Sequence, residues 1–281
     1  MAQGVSKSDI VLAYAPPAHR QLTEYAVGGG GLSNVSEVGG LACGILSPQL
    51  PQPNEFILIL HMPDALSLLD QAVSGNWRMH KIAIDELAQS PGAKAAFDYL
   101  LHQLDHTDDR IRFAALDIMI HHFYPRLQQA EESVIASLFA LWRDDCSPVI
   151  DRAMWAMHAC GLAGLDFVLA RMDQQPAWQQ RQTLSWLARH PDKVERKETI
   201  MHTFERFLAH EERSVRVYAA LSMLEMSPVR RALRQEMPGV DFRPYYPTLL
   251  SILKEGEASN LRTDDYLQTN IRWLQEAIAE E

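Results

Sequence analysis

Asp108-Asp109-Arg110-Ile111-Arg112-Phe113-Ala114-Ala115-Leu116 decides how this chain is read. An acidic turn leads into an Ile-Arg pair, and the pair into a run with adjacent alanines. Ser214-Val215-Arg216-Val217-Tyr218-Ala219-Ala220-Leu221 repeats the pattern. Weaker copies begin at Trp77-Arg78, Ile150-Asp151-Arg152 and Gln180-Arg181. The five arginines are 34, 40, 29 and 35 positions apart. A period of this size marks an array in which each unit buries its faces against the next. The run from Ile111 shows the need, because one helical face carries Ile111, Ala115 and Ile118 and a second carries Phe113, Leu116 and Ile120. A surface helix needs one apolar stripe, whereas a helix stacked between neighbours needs two.

An Asp, a Val-Arg pair and a helix opening on paired alanines resemble the HEAT-repeat family. The resemblance covers roughly residues 63–260. It implies an all-α, HEAT-like α-solenoid of about five helix pairs occupying residues 61–281. Periodicity agrees, with Ile135, Leu138, Phe139 and Trp142 at one helical spacing and Ile200, Phe204, Phe207 and Leu208 at another. Ser90-Pro91, Ser147-Pro148 and Ser227-Pro228 read as helix starts, with serine as the cap and proline at the first helical position. A last helix is expected from Thr263-Asp264-Asp265, with Leu267, Ile271, Leu274 and Ile278 on one face and a polar tail, as a solenoid cap requires.

Residues 1–60 read differently. Pro16-Pro17, Gly28–Gly31, Gly39-Gly40, Pro48, Pro51 and Pro53 leave no room for a helix of ordinary length. This is an irregular N-terminal arm, with short extended pieces at Ile10–Ala15 and Phe56–Leu60. Its apolar residues favour docking over pure solvation, and a flexible tail, a groove cover and a docking segment all remain open.

The 281 residues carry a formal charge of −10, which disfavours a nucleic-acid partner. Three spaced cysteines, Cys43, Cys146 and Cys160, fit reduced thiols in the cytoplasm. No run approaches the roughly 20 apolar residues that span a membrane.

Little in the chain reads as chemistry. His102 and His106 share a helical spacing but lack a third ligand, so no metal is expected. Cys160 reads as a buried thiol. Gly28–Gly31 lacks the Lys-Ser/Thr of a phosphate loop, and no cofactor is expected. One HEAT-type enzyme family binds di-iron through several His-Glu pairs, and the single pair His210-Glu211 cannot assemble that site. Another excises alkylated bases from DNA with Trp, Asp and Arg, roles that Trp155, Asp151 and Arg152 would take.

A partner surface is expected opposite the core stripes. On the helix from Ala177 to His190, Leu184 and Leu187 read as core, and Trp178, Gln182, Trp186 and Arg189 lie opposite. On the helix before it, Arg152 and Trp155 do. Trp155 and Trp186 are 31 residues apart, about one repeat. Tryptophan and arginine are the residues that most often anchor interfaces. The alternative is that these side chains pack the next layer; Trp142 reads as core. The function expected is a non-catalytic protein–protein interaction module, an adaptor, assembly factor or inhibitor-type binder, whose acidic excess suits a partner with basic segments. The alternatives are a HEAT-type enzyme, either a base-excision glycosylase or a prosthetic-group lyase, and a structural subunit of a larger complex.

Overall fold

A helix with two apolar faces needs neighbours on two sides, and the computed structural model supplies them. The structure describes residues 62–229, 236–258 and 265–280. In chain order their helices are α1 (Met62–Ser74), α2 (Lys81–Gln89), α3 (Ala93–His102), α4 (Asp109–His122), α5 (Tyr124–Gln128), α6 (Glu132–Ala140), α7 (Ser147–Ala159), α8 (Gly161–Arg171), α9 (Ala177–Arg189), α10 (Lys197–Leu208), α11 (Arg213–Glu225), α12 (Tyr246–Ala258) and α13 (Asp265–Ala279). No strand occurs among the described residues. The arm expected over residues 1–60, with Ile10–Ala15, Phe56–Leu60, Cys43 and Gly28–Gly31, lies outside them.

The packing is that of a helical-repeat solenoid. First helices stack on first helices: α1 on α4, α4 on α7 and α9 on α11. The Trp186 indole N–H donates to the Met154 carbonyl at 2.9 Å and joins α9 to α7. The Tyr266 hydroxyl donates to Glu225 at 2.8 Å and joins α13 to α11. The intervening helices pack on this row: α3 on α1 and α4, α6 and α8 on α7, and α10 and α12 on α11. One continuous apolar core runs through the described helices.

The repeat arginine explains why the motif recurs. In α4 the Arg112 guanidinium donates to the carbonyls of His106 at 2.8 Å and Thr107 at 3.1 Å. It also makes a two-pronged pair with Asp144 of the next unit, at 2.8 and 2.7 Å. Arg216 does the same in α11, donating to the carbonyls of His210 and Glu211 at 2.8 and 3.0 Å and to Glu255 of the next unit at 3.0 Å. One side chain thus closes its own loop and staples the following unit. In both loops the histidine Nδ1 accepts a backbone N–H two residues on, from Asp108 at 2.9 Å and from Glu212 at 3.0 Å. His106 is therefore a loop cap, and it lies beyond the end of α3, which closes at His102.

The helix starts expected at three Ser-Pro pairs shift. Ser90 accepts the Gly92 N–H at 3.0 Å and turns the chain before α3. Ser147 is inside α7, and Cys146 stands at its cap position. Ser227 is buried and donates to the Leu224 carbonyl at 2.8 Å; it follows the end of α11, and a 3-10 turn opens at Pro228. Trp77-Arg78 also departs from the repeat. It sits in a 3-10 turn after α1, where the Asn76 side chain accepts the Arg78 N–H at 3.2 Å.

The α7–α8 turn is close-packed at two glycines. Gly161 reverses the chain with a φ of 58°, a conformation costly for any residue with a Cβ. No single described helix is long and apolar enough to cross a membrane. At Gly164 a Cβ would lie 2.6 Å from the Met157 carbonyl oxygen. Gly164→Ala is expected to cost about 1–3 kcal/mol from overpacking, although alanine is the better helix former. A lower urea midpoint checks it; an unchanged midpoint means that α7 and α8 are not packed this closely.

Candidate functional site

The residues expected to bind a partner lie on α7 and α9, and the structure divides them by exposure. Trp155 is half-buried on α7, with the Arg152 guanidinium 5.3 Å from its ring centroid. Trp178, near the start of α9, is 41% exposed. Gln182 is half-buried one helical turn further on. Arg189, at the end of α9, gives two hydrogen bonds to Glu225, at 3.2 and 3.1 Å, and is engaged inside the fold.

Trp186 is a correction. It is 2% exposed and cannot meet a partner. Its ring packs edge-on against Trp142 at 5.3 Å and stacks on His158 at 4.9 Å. The physical reason is the solenoid itself. The side of α9 opposite Leu184 and Leu187 faces the neighbouring units instead of solvent, so Gln179, Thr183 and Trp186 are buried there as well. Trp155 and Trp186 thus form no joint exposed stripe.

Around Trp186 lies a cluster of nitrogen bases. His158 and His190 meet edge-on at 5.1 Å, and His190 packs on Trp186 at 4.7 Å. The His190 Nδ1 accepts the Asp192 N–H at 3.1 Å. Lys193, also buried, donates to the His190 carbonyl at 3.4 Å. Burial pushes His158 down to about 4, against the pull of the Trp186 carbonyl and with help from the charges of Arg189 and Lys193. Burial pushes His190 down to about 2, reinforced by His158 and Lys193. Both imidazoles are neutral at physiological pH. The Cys160 thiol, as expected, is buried, and burial pushes it up to about 12, which leaves it unreactive.

Sequence reasoning missed the centre of the second cluster. Asp117, in the middle of α4, is 0% exposed. The Trp77 indole N–H donates to its Oδ2 at 3.0 Å. Arg152 Nε lies 3.1 Å from Oδ1 without an aligned hydrogen bond, and His121 Nε2 lies 3.5 Å from the same oxygen. Arg78 approaches Oδ2 at 3.7 Å. Burial raises the Asp117 pKa, but His121, Arg152 and Trp77 outweigh it and hold the carboxyl below its usual range. The Arg152 guanidinium also lies 5.3 Å from the Phe113 ring, so two rings flank it. A signal was present: Asp117 is the one charged residue between Phe113 and Ile120. Asp151, the acid in the expected glycosylase roles, is exposed at the surface; crowding by neighbouring atoms raises its carboxyl against the pull of Arg152. Among the described residues no group of three or more His, Cys, Asp or Glu side chains converges as a metal site would require.

The chain matches no family model and no curated protein. Among solved structures it is similar to an engineered protein, with 16% identity over 77% of this chain and 97% of that one and a TM-score of 0.36. It is similar to a designed armadillo repeat protein, with 14% identity over 82% and 96% and a TM-score of 0.37. A designed armadillo repeat protein in complex with the peptide (KR)4 matches with 14% identity over 76% and 99% and a TM-score of 0.37. These scores are low, and the solenoid assignment stands on the packing described above.

Proposed function

We propose that this chain is a cytoplasmic, non-catalytic protein–protein interaction module of the HEAT type, an adaptor, assembly factor or inhibitor-type binder that holds a protein partner on its first-helix face. One observation carries the reading: half-exposed tryptophan and arginine, Trp155 and Arg152 on α7 and Trp178 on α9, stand on neighbouring helices over a core closed beneath them. Rigid aromatic and arginine anchors of this kind dominate interface energies.

The test is retention of a partner from native lysate by the full chain and by Trp178→Ala. Trp178 is exposed, so the variant is expected to stay within about 0.5 kcal/mol of the parent in stability. It is expected to retain the partner at least about tenfold less well, the loss typical of an interface anchor. Equal retention by the two proteins places the anchor elsewhere and overturns this surface.

A second reading has its own observation. A buried acid, Asp117, set against Arg152 and aromatic rings on one face is what a HEAT-type base-excision glycosylase would need, with Asp117 rather than Asp151 as the acid. The formal charge of −10 opposes it, since binding along duplex DNA requires cationic surface. Release of free base from an alkylated duplex, lost in Asp117→Asn, would establish that reading in place of the first.

A further inference from the structure

We propose that Arg78 and Arg152, gathered over Asp117, form a subsite for one carboxylate of the protein partner, an Asp or Glu side chain on a segment laid along the first-helix face. This rests on the protein-binding reading above and names the chemistry of its site. The overall acidity pointed to basic partner segments; the local arrangement points to an acidic one.

The argument begins with a contrast among arginines. Arg112, Arg189, Arg196 and Arg216 each give two hydrogen bonds to a carboxylate inside the fold, and each is thereby spent. Arg152 is not. Its Nε lies 3.1 Å from Asp117 without an aligned hydrogen bond, and among the described residues no acceptor is hydrogen-bonded to either Nη group. Arg78 reaches the same carboxyl only at 3.7 Å and is 67% exposed. Two guanidinium groups thus converge on one buried carboxylate, which fixes them without neutralising both.

The setting orients the free donors. Phe113 and Trp155 flank the Arg152 guanidinium, and Trp77 lies 5.1 Å from that of Arg78. Stacked arginine loses less freedom on binding, and its free edge presents two parallel N–H groups, the geometry that a carboxylate accepts. The rings supply apolar surface for the rest of a peptide. A nucleic-acid backbone fits less well. Its affinity grows with each phosphate neutralised, and exposed Asp151, beside Arg152, repels a second anion.

The test selects peptides from a random library displayed on phage, using the folded full chain as bait, and measures labelled hits by fluorescence anisotropy. Enriched sequences are expected to share an Asp or Glu, and its replacement by Asn or Gln is expected to raise the Kd at least about tenfold. Arg78→Gln, at an exposed position that leaves the core intact, is expected to weaken the parent peptide to a similar degree and the amide-substituted peptide hardly at all. Arg152→Gln, checked for folding by circular dichroism, is expected to do the same. Hits without a shared acid, or an acid whose replacement changes nothing, overturn the subsite while leaving the module intact. A folded chain that enriches no peptide overturns the module as well. Tighter binding to a DNA duplex than to any peptide, lost in Arg152→Gln, assigns the site to phosphate instead.

Discussion

Trp186→Ala is expected to lower the stability of the solenoid by about 3–5 kcal/mol, the range for truncating a fully buried tryptophan. Three contributions add up at this position. The indole fills the space between α7 and α9 against Trp142, His158 and His190. Its N–H satisfies the Met154 carbonyl, which the truncation leaves without that donor. The position also lies in the middle of the array, where neighbouring units couple through each interface, so the damage spreads to both sides. Urea unfolding followed by circular dichroism measures the effect, with Trp178→Ala as the exposed control. A loss under about 1 kcal/mol would show that Trp186 is not packed as described, since that is the range of surface substitutions and mild repacking. A Trp186 substitution is therefore a probe of folding and not of binding.

Acid is expected to unfold the chain earlier than its carboxylates alone would require. His158 and His190 have folded pKa values pushed down by burial, to about 4 and about 2. The unfolded chain takes up protons near pH 6.5, the ordinary histidine value, where the folded chain does not. The unfolded state therefore binds more protons between the two values, and stability rises with pH across that window. The contribution is present above about pH 6.5 and is lost progressively as the pH falls toward 4. At about 1.4 kcal/mol per pH unit for each group, His158 alone contributes roughly 3 kcal/mol. Urea midpoints between pH 7.5 and 5 check this. A clear fall is expected in the parent, and a shallower one in His190→Asn, whose amide oxygen can still accept the Asp192 N–H. A flat profile in the parent would mean that the imidazoles are solvated.

Much of the fold was legible because the period was. Arg112 and Arg216 stand at matching distances from His106 and His210, and the structure shows why: each arginine closes the loop that its histidine caps. Paired alanines and two apolar faces on the run from Ile111 required a stacked helix, and α4 is one. The closing helix with Leu267, Ile271 and Leu274 inward was equally readable. Helix starts were less so. At Ser90 the hydroxyl accepts the Gly92 N–H, so the serine turns the chain and α3 opens only at Ala93, and at Ser147 the serine already lies inside α7.

The candidate site was half legible. Arg152 and Trp155 are half-buried and Trp178 is exposed, whereas Trp186 shares their helical spacing and is buried. Asp117 escaped because a carboxylate in an apolar run reads as a misfit until its partners are known, and these come from Trp77, 40 residues before it, and Arg152, 35 after it. What the sequence by itself determined is local: the helices and the period that stacks them. What only the tertiary structure decided is which side of each helix meets solvent. Helical periodicity assigns a residue to a side of its own helix, but in a solenoid the adjoining units cover two or three sides, and burial is set by side chains from 30 to 40 residues away.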